Sequence, residues 1–174
     1  MASNWLVAIA ALCLPVAAAN ALDGAGADPE RAAVEKTIRA SIGWALAKDR
    51  PLLESVIARD ADLFIFHPDS KSTVAGWDAF VKLFDFWMDP RFKATRFEVR
   101  DLRITRARSG DVAWFSAILD DCGEWDGKPS CWLDTRWTGV LEKREGGWRI
   151  AQMHFSFAAE RAADCTIFSA MLGF

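Results

Sequence analysis

Gln152, His154 and Ser156 stand at alternate positions of the run Gly147-Trp-Arg-Ile-Ala-Gln-Met-His-Phe-Ser156, which is otherwise mostly apolar. Alternate positions of a strand share one face. Polar groups on one face of a mostly buried strand imply a lined cavity rather than a solvated surface. His154 is the member best suited to chemistry. A neutral imidazole accepts a proton near neutral pH, and an aspartate on the same face, for which Asp120 is the candidate, would orient it. The plainer alternative is a core histidine with one satisfied hydrogen bond, and both readings stand at this level. His67 ends the apolar run Leu63-Phe-Ile-Phe-His67 just before Pro68. It is a candidate for a cavity rim, or a structural residue in a turn. No His-x-x-x-His spacing links the two histidines, so no metal site is expected. Phosphate-cradling glycine loops, nucleophile elbows and cysteine–metal motifs are also missing, and no cofactor is expected.

Two hairpins position these groups. Glu145-Gly146 reads as a two-residue turn and Asp126-Gly127 as another, since Asp-Gly supplies the positive φ such turns require. Counting outward from the first turn puts Trp137 opposite His154 and Thr135 opposite Ser156. Counting from the second puts Cys122 opposite Cys131, Ser116 opposite Trp137 and Asp120 opposite Leu133. One face then carries Trp114, Ser116, Ile118, Asp120, Trp137, Gly139, Leu141, Ile150, Gln152, His154 and Ser156. The expected ligand contacts are Trp114, Trp137, Gln152, His154 and Ser156, with Gly139 leaving room for a ligand opposite Gln152. The other face carries Phe115, Val140, Met153, Phe155 and Phe157 and is too apolar to be left in water. Cys122 and Cys131 fall at a non-hydrogen-bonded pair, where Cα atoms approach within disulfide range. A Cys122–Cys131 bridge is expected, against two buried thiols as the alternative.

The remaining elements follow from local signals. Residues 1–21 read as an export leader: an apolar run from Trp5 to Pro15, then Ala19-Asn20-Ala21 as a small-x-small cleavage site. An uncleaved anchor is the alternative, but the run is short for a span and contains Pro15. Asp28-Pro29 caps a helix whose stripe is Val34, Ile38, Ile42 and Leu46. Asp49 and Pro51 repeat the signal for a short helix to about Arg59. A strand covers 63–67, and a helix runs from Gly76 to Met88. The rest is β. Parity switches from Phe97 and Val99 to Leu102 and Ile104, which predicts a bulge near Arg100-Asp101. Strands over 112–121, 131–144 and 148–157 complete an antiparallel meander. Helices followed by such a sheet make an α+β domain over residues 22–157. A tail, 158–174, is left to cover a pocket mouth or a sheet edge, or to be disordered.

Two N-terminal helices, Phe-Ile-Phe-His-Pro68, the Gly76-Trp77 helix start, Ser-Gly-Asp-Val-Ala-Trp114 and the hairpin from Thr138-Gly-Val-Leu-Glu-Lys-Arg144 to Ser156 together resemble the SnoaL-like branch of the nuclear-transport-factor-2-like superfamily. The resemblance spans roughly residues 30–157. It implies a cone-shaped, curved antiparallel sheet wrapped around the N-terminal helices, enclosing an apolar pocket. It also implies that His154 and Ile150 face the cone interior, and that the face with Phe115, Val140, Met153, Phe155 and Phe157 makes a homodimer contact. The superfamily holds isomerases, dehydratases, cyclases, binding proteins and association domains, so the fold alone does not fix function. The chain has 9 tryptophans and no tyrosine. The tyrosine-assisted isomerase and dehydratase mechanisms of the superfamily therefore cannot transfer. A net charge of −3 gives no nucleic-acid signature. Five arginines between Arg96 and Arg108 alternate with Glu98 and Asp101 and read as a solvated strand face. The sequence thus points to an exported protein, periplasmic or secreted, free of the membrane after cleavage. It is expected to be a homodimer that binds a small apolar or aromatic molecule. An isomerase, cyclase or lyase using His154 as general base is the alternative.

Overall fold

The computed structural model describes residues 28–68, 73–145 and 147–158. The proposed leader and nearly all of the 158–174 tail lie outside the described residues.

Helix α1 spans Pro29–Gly43, and Asp28 caps it by accepting the backbone N–H of Glu30 and Arg31. A single 3₁₀ turn, Trp44–Leu46, follows. Asp49 caps α2, Arg50–Val56, through the Leu52 N–H. Two strands absent from, or shorter than, the expected pattern come next, β1 at Phe64–Phe66 and β2 at Val74–Ala75. The helix expected over 76–88 is broken into α3, Trp77–Val81, and α4, Phe84–Trp87. The long strands are β3 (Phe92–Arg106), β4 (Val112–Trp125), β5 (Lys128–Arg144) and β6 (Gly147–Ser156).

The six strands form one curved, unclosed sheet in the order β2-β1-β6-β5-β4-β3. All neighbours are antiparallel except β1 and β6. The helices cover its concave face. Val34, Ile38, Trp44, Leu53, Phe80 and Phe84 meet Phe115, Leu119, Trp137, Leu141, Ile150 and Phe155 in one core, each buried. This is the α+β cone expected from the sequence.

The Asp126-Gly127 turn falls where read, and Arg144 pairs with Gly147 as expected for the other hairpin. Asp126 (φ 50°) and Gly127 (φ 75°) take the two left-handed positions, and Trp125 pairs with Lys128 across them. Cys122 stands opposite Cys131 and is bonded to it, with Cα atoms 4.1 Å apart. The β3 bulge is present, between Arg100 and Arg103, with Asp101 at φ 51°.

Three further bulges were not foreseen: one lies in β3 between Ala94 and Arg96, and the other two change which of the expected pocket side chains face inward. In β5 the register slips between the pairs Asp121↔Trp132 and Leu119↔Thr135. Asp134 is the extra residue, at φ 50°. In β6, Leu141 pairs with Ile150 but Val140 pairs with Gln152, leaving Ala151 unpaired. Because side-chain direction alternates with period two, one extra residue turns everything beyond it to the other face. Ser116 therefore faces Thr138 rather than Trp137, and His154 faces Thr138 rather than Trp137.

Candidate functional site

The concave face encloses a cavity of about 360 Å³ between α1, the 3₁₀ turn, α4 and the sheet. Its walls carry eight large aromatic side chains: Trp44, Phe80, Phe86, Trp87, Phe92, Trp125, Trp132 and Phe155. Ile65 and Met153 add aliphatic surface, while the polar lining includes Ser41, His67, Asp121, Glu124 and Ser130. The volume lies within the range of small-molecule sites.

The residues expected to line a pocket do not come together in it. His154 is exposed on the convex face, with its ring 5.7 Å from that of Phe66. Trp114 is 47% exposed on the same face. Gln152 pairs with Val140 and Ser156 with Arg136, and both are half-buried there. Trp137 does turn inward, as read, but packs as core behind the cavity wall. It stacks on Phe155 at 5.7 Å and meets Phe115 edge-on at 4.8 Å. Gly139 leaves no room for a ligand. A Cβ there would sit 2.6 Å from both the Gln152 carbonyl oxygen and Phe115 Cε1, so the missing side chain lets Phe115 in. Phe115, Met153 and Phe155, expected on a dimer face, are buried within the chain. The Ala151 and Asp134 bulges are the physical reason for these exchanges.

Asp120 has a structural position on the convex side. Its carboxylate accepts the Asp134 N–H at 2.8 Å and an Arg100 guanidinium N–H at 3.0 Å, and Arg100 also reaches Asp134 at 2.7 Å. These contacts fasten the β5 bulge. The Asp134 N–H, then Arg100, hold the Asp120 carboxyl below its ordinary range.

Its neighbour Asp121 turns into the cavity. Burial pushes its carboxyl up to about 6, and among the described residues no hydrogen bond or charge offsets that burial. Across β3 it faces Phe97, and across β5 it faces Trp132. Trp132 in turn lies 5.9 Å from the His67 ring and 5.8 Å from Phe155. His67, read as a rim candidate, thus lines the same cavity as Asp121. Glu124, the other lining carboxylate, is paired with Lys93 at 3.0 Å. The cavity therefore offers one half-buried carboxyl without a protein partner among the described residues, one imidazole and a broad aromatic surface. Among the described residues, no group of His, Cys, Asp and Glu is arranged to hold a metal ion.

Asp121 was missed because the strand was read with the opposite parity. The signal was nevertheless available: Phe115, Ala117 and Leu119 form an apolar alternation, and Asp121 is its next member.

Comparison with known proteins agrees with the fold. A model of the SnoaL-like domain matches residues 34–160. None of the curated proteins matches the chain. A nuclear-transport-factor-2-like superfamily protein from Salmonella enterica aligns with a TM-score of 0.65 at 17% identity, covering 78% of this chain and 96% of that one. A candidate dehydratase of the NTF2-like family from Streptomyces avermitilis gives 0.64 at 17% identity, covering 76% and 99%. A candidate scytalone dehydratase from Novosphingobium aromaticivorans gives 0.63 at 11% identity, covering 77% and 91%. At such identities the likeness is one of fold. The family model covers most of the chain, and with the curved sheet over capped helices it shows that the chain belongs to the SnoaL-like branch of the nuclear-transport-factor-2-like superfamily.

Proposed function

We propose that the chain is a small-molecule-binding protein whose ligand, largely apolar or aromatic, occupies the cavity beside Asp121. The observation that carries this reading is the cavity itself: about 360 Å³, walled by indole and phenyl rings, with a carboxyl that has no protein partner among the described residues. Aromatic walls supply most of the contact area, and a few polar groups fix orientation. Native mass spectrometry of protein purified from its own host tests it. A retained small molecule is expected for wild type and not for Ala94→Trp, which fills the cavity from β3. A molecule retained equally by both, or by neither, would overturn the reading.

A second reading is favoured by the carboxyl's position near 6. A base is most effective when its pKa lies near the working pH. An isomerase or lyase would then use Asp121, in place of the convex-face His154, to accept a substrate proton. Two similar folds carry dehydratase descriptions, which supports the reaction class. In that case Asp121→Asn abolishes turnover and leaves binding in place.

We also propose export and homodimerisation. The disulfide is compatible with an oxidising compartment. The convex face, with Trp114 and Phe66 each 47% exposed, is the surface we assign to a second copy.

A further inference from the structure

We propose that the cavity takes an organic cation, an aromatic or aliphatic molecule bearing a protonated or quaternary amine whose positive charge sits beside Asp121. The inference rests on the binding reading above and names the ligand class for that cavity.

Three observations carry it. First, the lining has carboxylates but no fixed positive charge. Its ionisable groups are Asp121, Glu124 and His67, with no lysine or arginine among the described lining residues. A carboxylate or phosphate ligand would find no fixed positive partner there. The basic side chains near the rim are already engaged. Lys93 holds Glu124, Arg91 holds Asp89, and Lys48 donates to the Asp89 carbonyl.

Second, Asp121 is half-buried without compensation among the described residues. No described donor reaches it, and desolvation alone sets its titration. A buried ionised carboxylate is costly unless paired. A ligand ammonium supplies the partner that the protein does not.

Third, the walls suit a cation. Trp44 and Trp87 both line the cavity and meet edge to face at 68°, with centroids 5.4 Å apart. Trp132 stands opposite Asp121 across the strand pair. Indole faces attract cations, more strongly where water is excluded. Aromatic surface with one carboxylate is a chemistry for ammonium groups, since the rings accept the alkyl substituents and the carboxylate the charge.

The test compares two probes of the same shape, phenethyltrimethylammonium and its neutral carbon isostere (3,3-dimethylbutyl)benzene, by tryptophan fluorescence titration at pH 7.5. The cation is expected to bind at least about tenfold tighter than the isostere, and Asp121→Asn is expected to remove that preference. The quaternary probe cannot lose a proton. Its affinity should therefore report the protein's own titration, weakening about tenfold per unit as pH falls below 6. His67 and Glu124 are the other ionisable groups that line the cavity. His67→Gln should preserve the fall if Asp121 causes it. Equal or tighter binding of the neutral isostere overturns the cation assignment and leaves the cavity reading intact. So does binding of neither probe when the native mass spectrum still shows a molecule displaced by Ala94→Trp. A cation preference that survives Asp121→Asn, with circular dichroism confirming the fold, overturns the placement of the charge beside Asp121.

Discussion

Asp121→Asn should stabilise the protein at neutral pH and do nothing for it at pH 4. Burial pushes the native carboxyl up to about 6, against an ordinary value of 3.8. The folded state therefore holds its proton over a window in which the unfolded chain has lost it. Between about pH 4 and pH 6 the native state binds more protons, so stability falls as pH rises through that window. Below it, both states are protonated and no penalty exists. Above it, both are ionised and the full penalty applies. At 1.36 kcal/mol per unit, the shift of roughly two units corresponds to about 3 kcal/mol. Contact with cavity water makes that an upper figure. Asparagine is nearly isosteric and never charges, so it escapes the penalty. For a domain of this size the gain is on the order of 6–12 °C in melting temperature at pH 7.5. The assay is urea denaturation of wild type and variant in parallel from pH 3.5 to 8. Subtracting the two curves removes every other titrating group. A difference that is flat across the range, or a variant less stable at pH 7.5, would refute the reasoning. In the first case Asp121 is solvated as usual, and in the second its charge has a partner.

Two further outcomes are expected. Reducing the Cys122–Cys131 bridge should lower stability by about 2–3 kcal/mol, the modest value proper to a short loop. It should also weaken ligand retention, because Cys122, Gly123 and Glu124 line the cavity. An unchanged urea midpoint with and without reductant would deny the bridge a structural role. Trp114→Glu should convert a dimer to a monomer in sedimentation at micromolar concentration, since it places a charge on the convex face. Wild type that is already monomeric would dismiss the convex-face contact.

What the sequence made legible, and what it hid, divides along the range of the interactions involved. Caps and turns are decided within a few residues. Asp28 and Asp49 cap their helices, Asp126-Gly127 sets the hairpin register, and that register alone brings the two cysteines face to face. The same counting failed six residues beyond Cys122, at Ser116, because Asp134 adds one residue to β5 in between. No local chemistry announces that bulge. What fastens it is a contact among Asp120, the Asp134 N–H and Arg100 from β3, thirty-four residues away from Asp134. Ala151 did the same to His154, with even less to mark it in the sequence.

The consequence is chemical as well as geometric. Had β5 and β6 run without these insertions, the inward polar groups would have been an imidazole and an amide, a set suited to donating and accepting hydrogen bonds. With the insertions, Phe155 and Met153 turn inward and His154 turns out. Asp121, beside the first slip, becomes the carboxyl of the cavity, with His67 brought to the same lining by the parallel pairing of β1 and β6. Asp120 and Asp121 are adjacent and identical in type, yet one is held ionised by the Asp134 N–H and Arg100 and the other is pushed toward neutrality by burial. Their difference comes entirely from which side of the sheet each one faces. The chemistry of this cavity is thus set by backbone register before it is set by residue type.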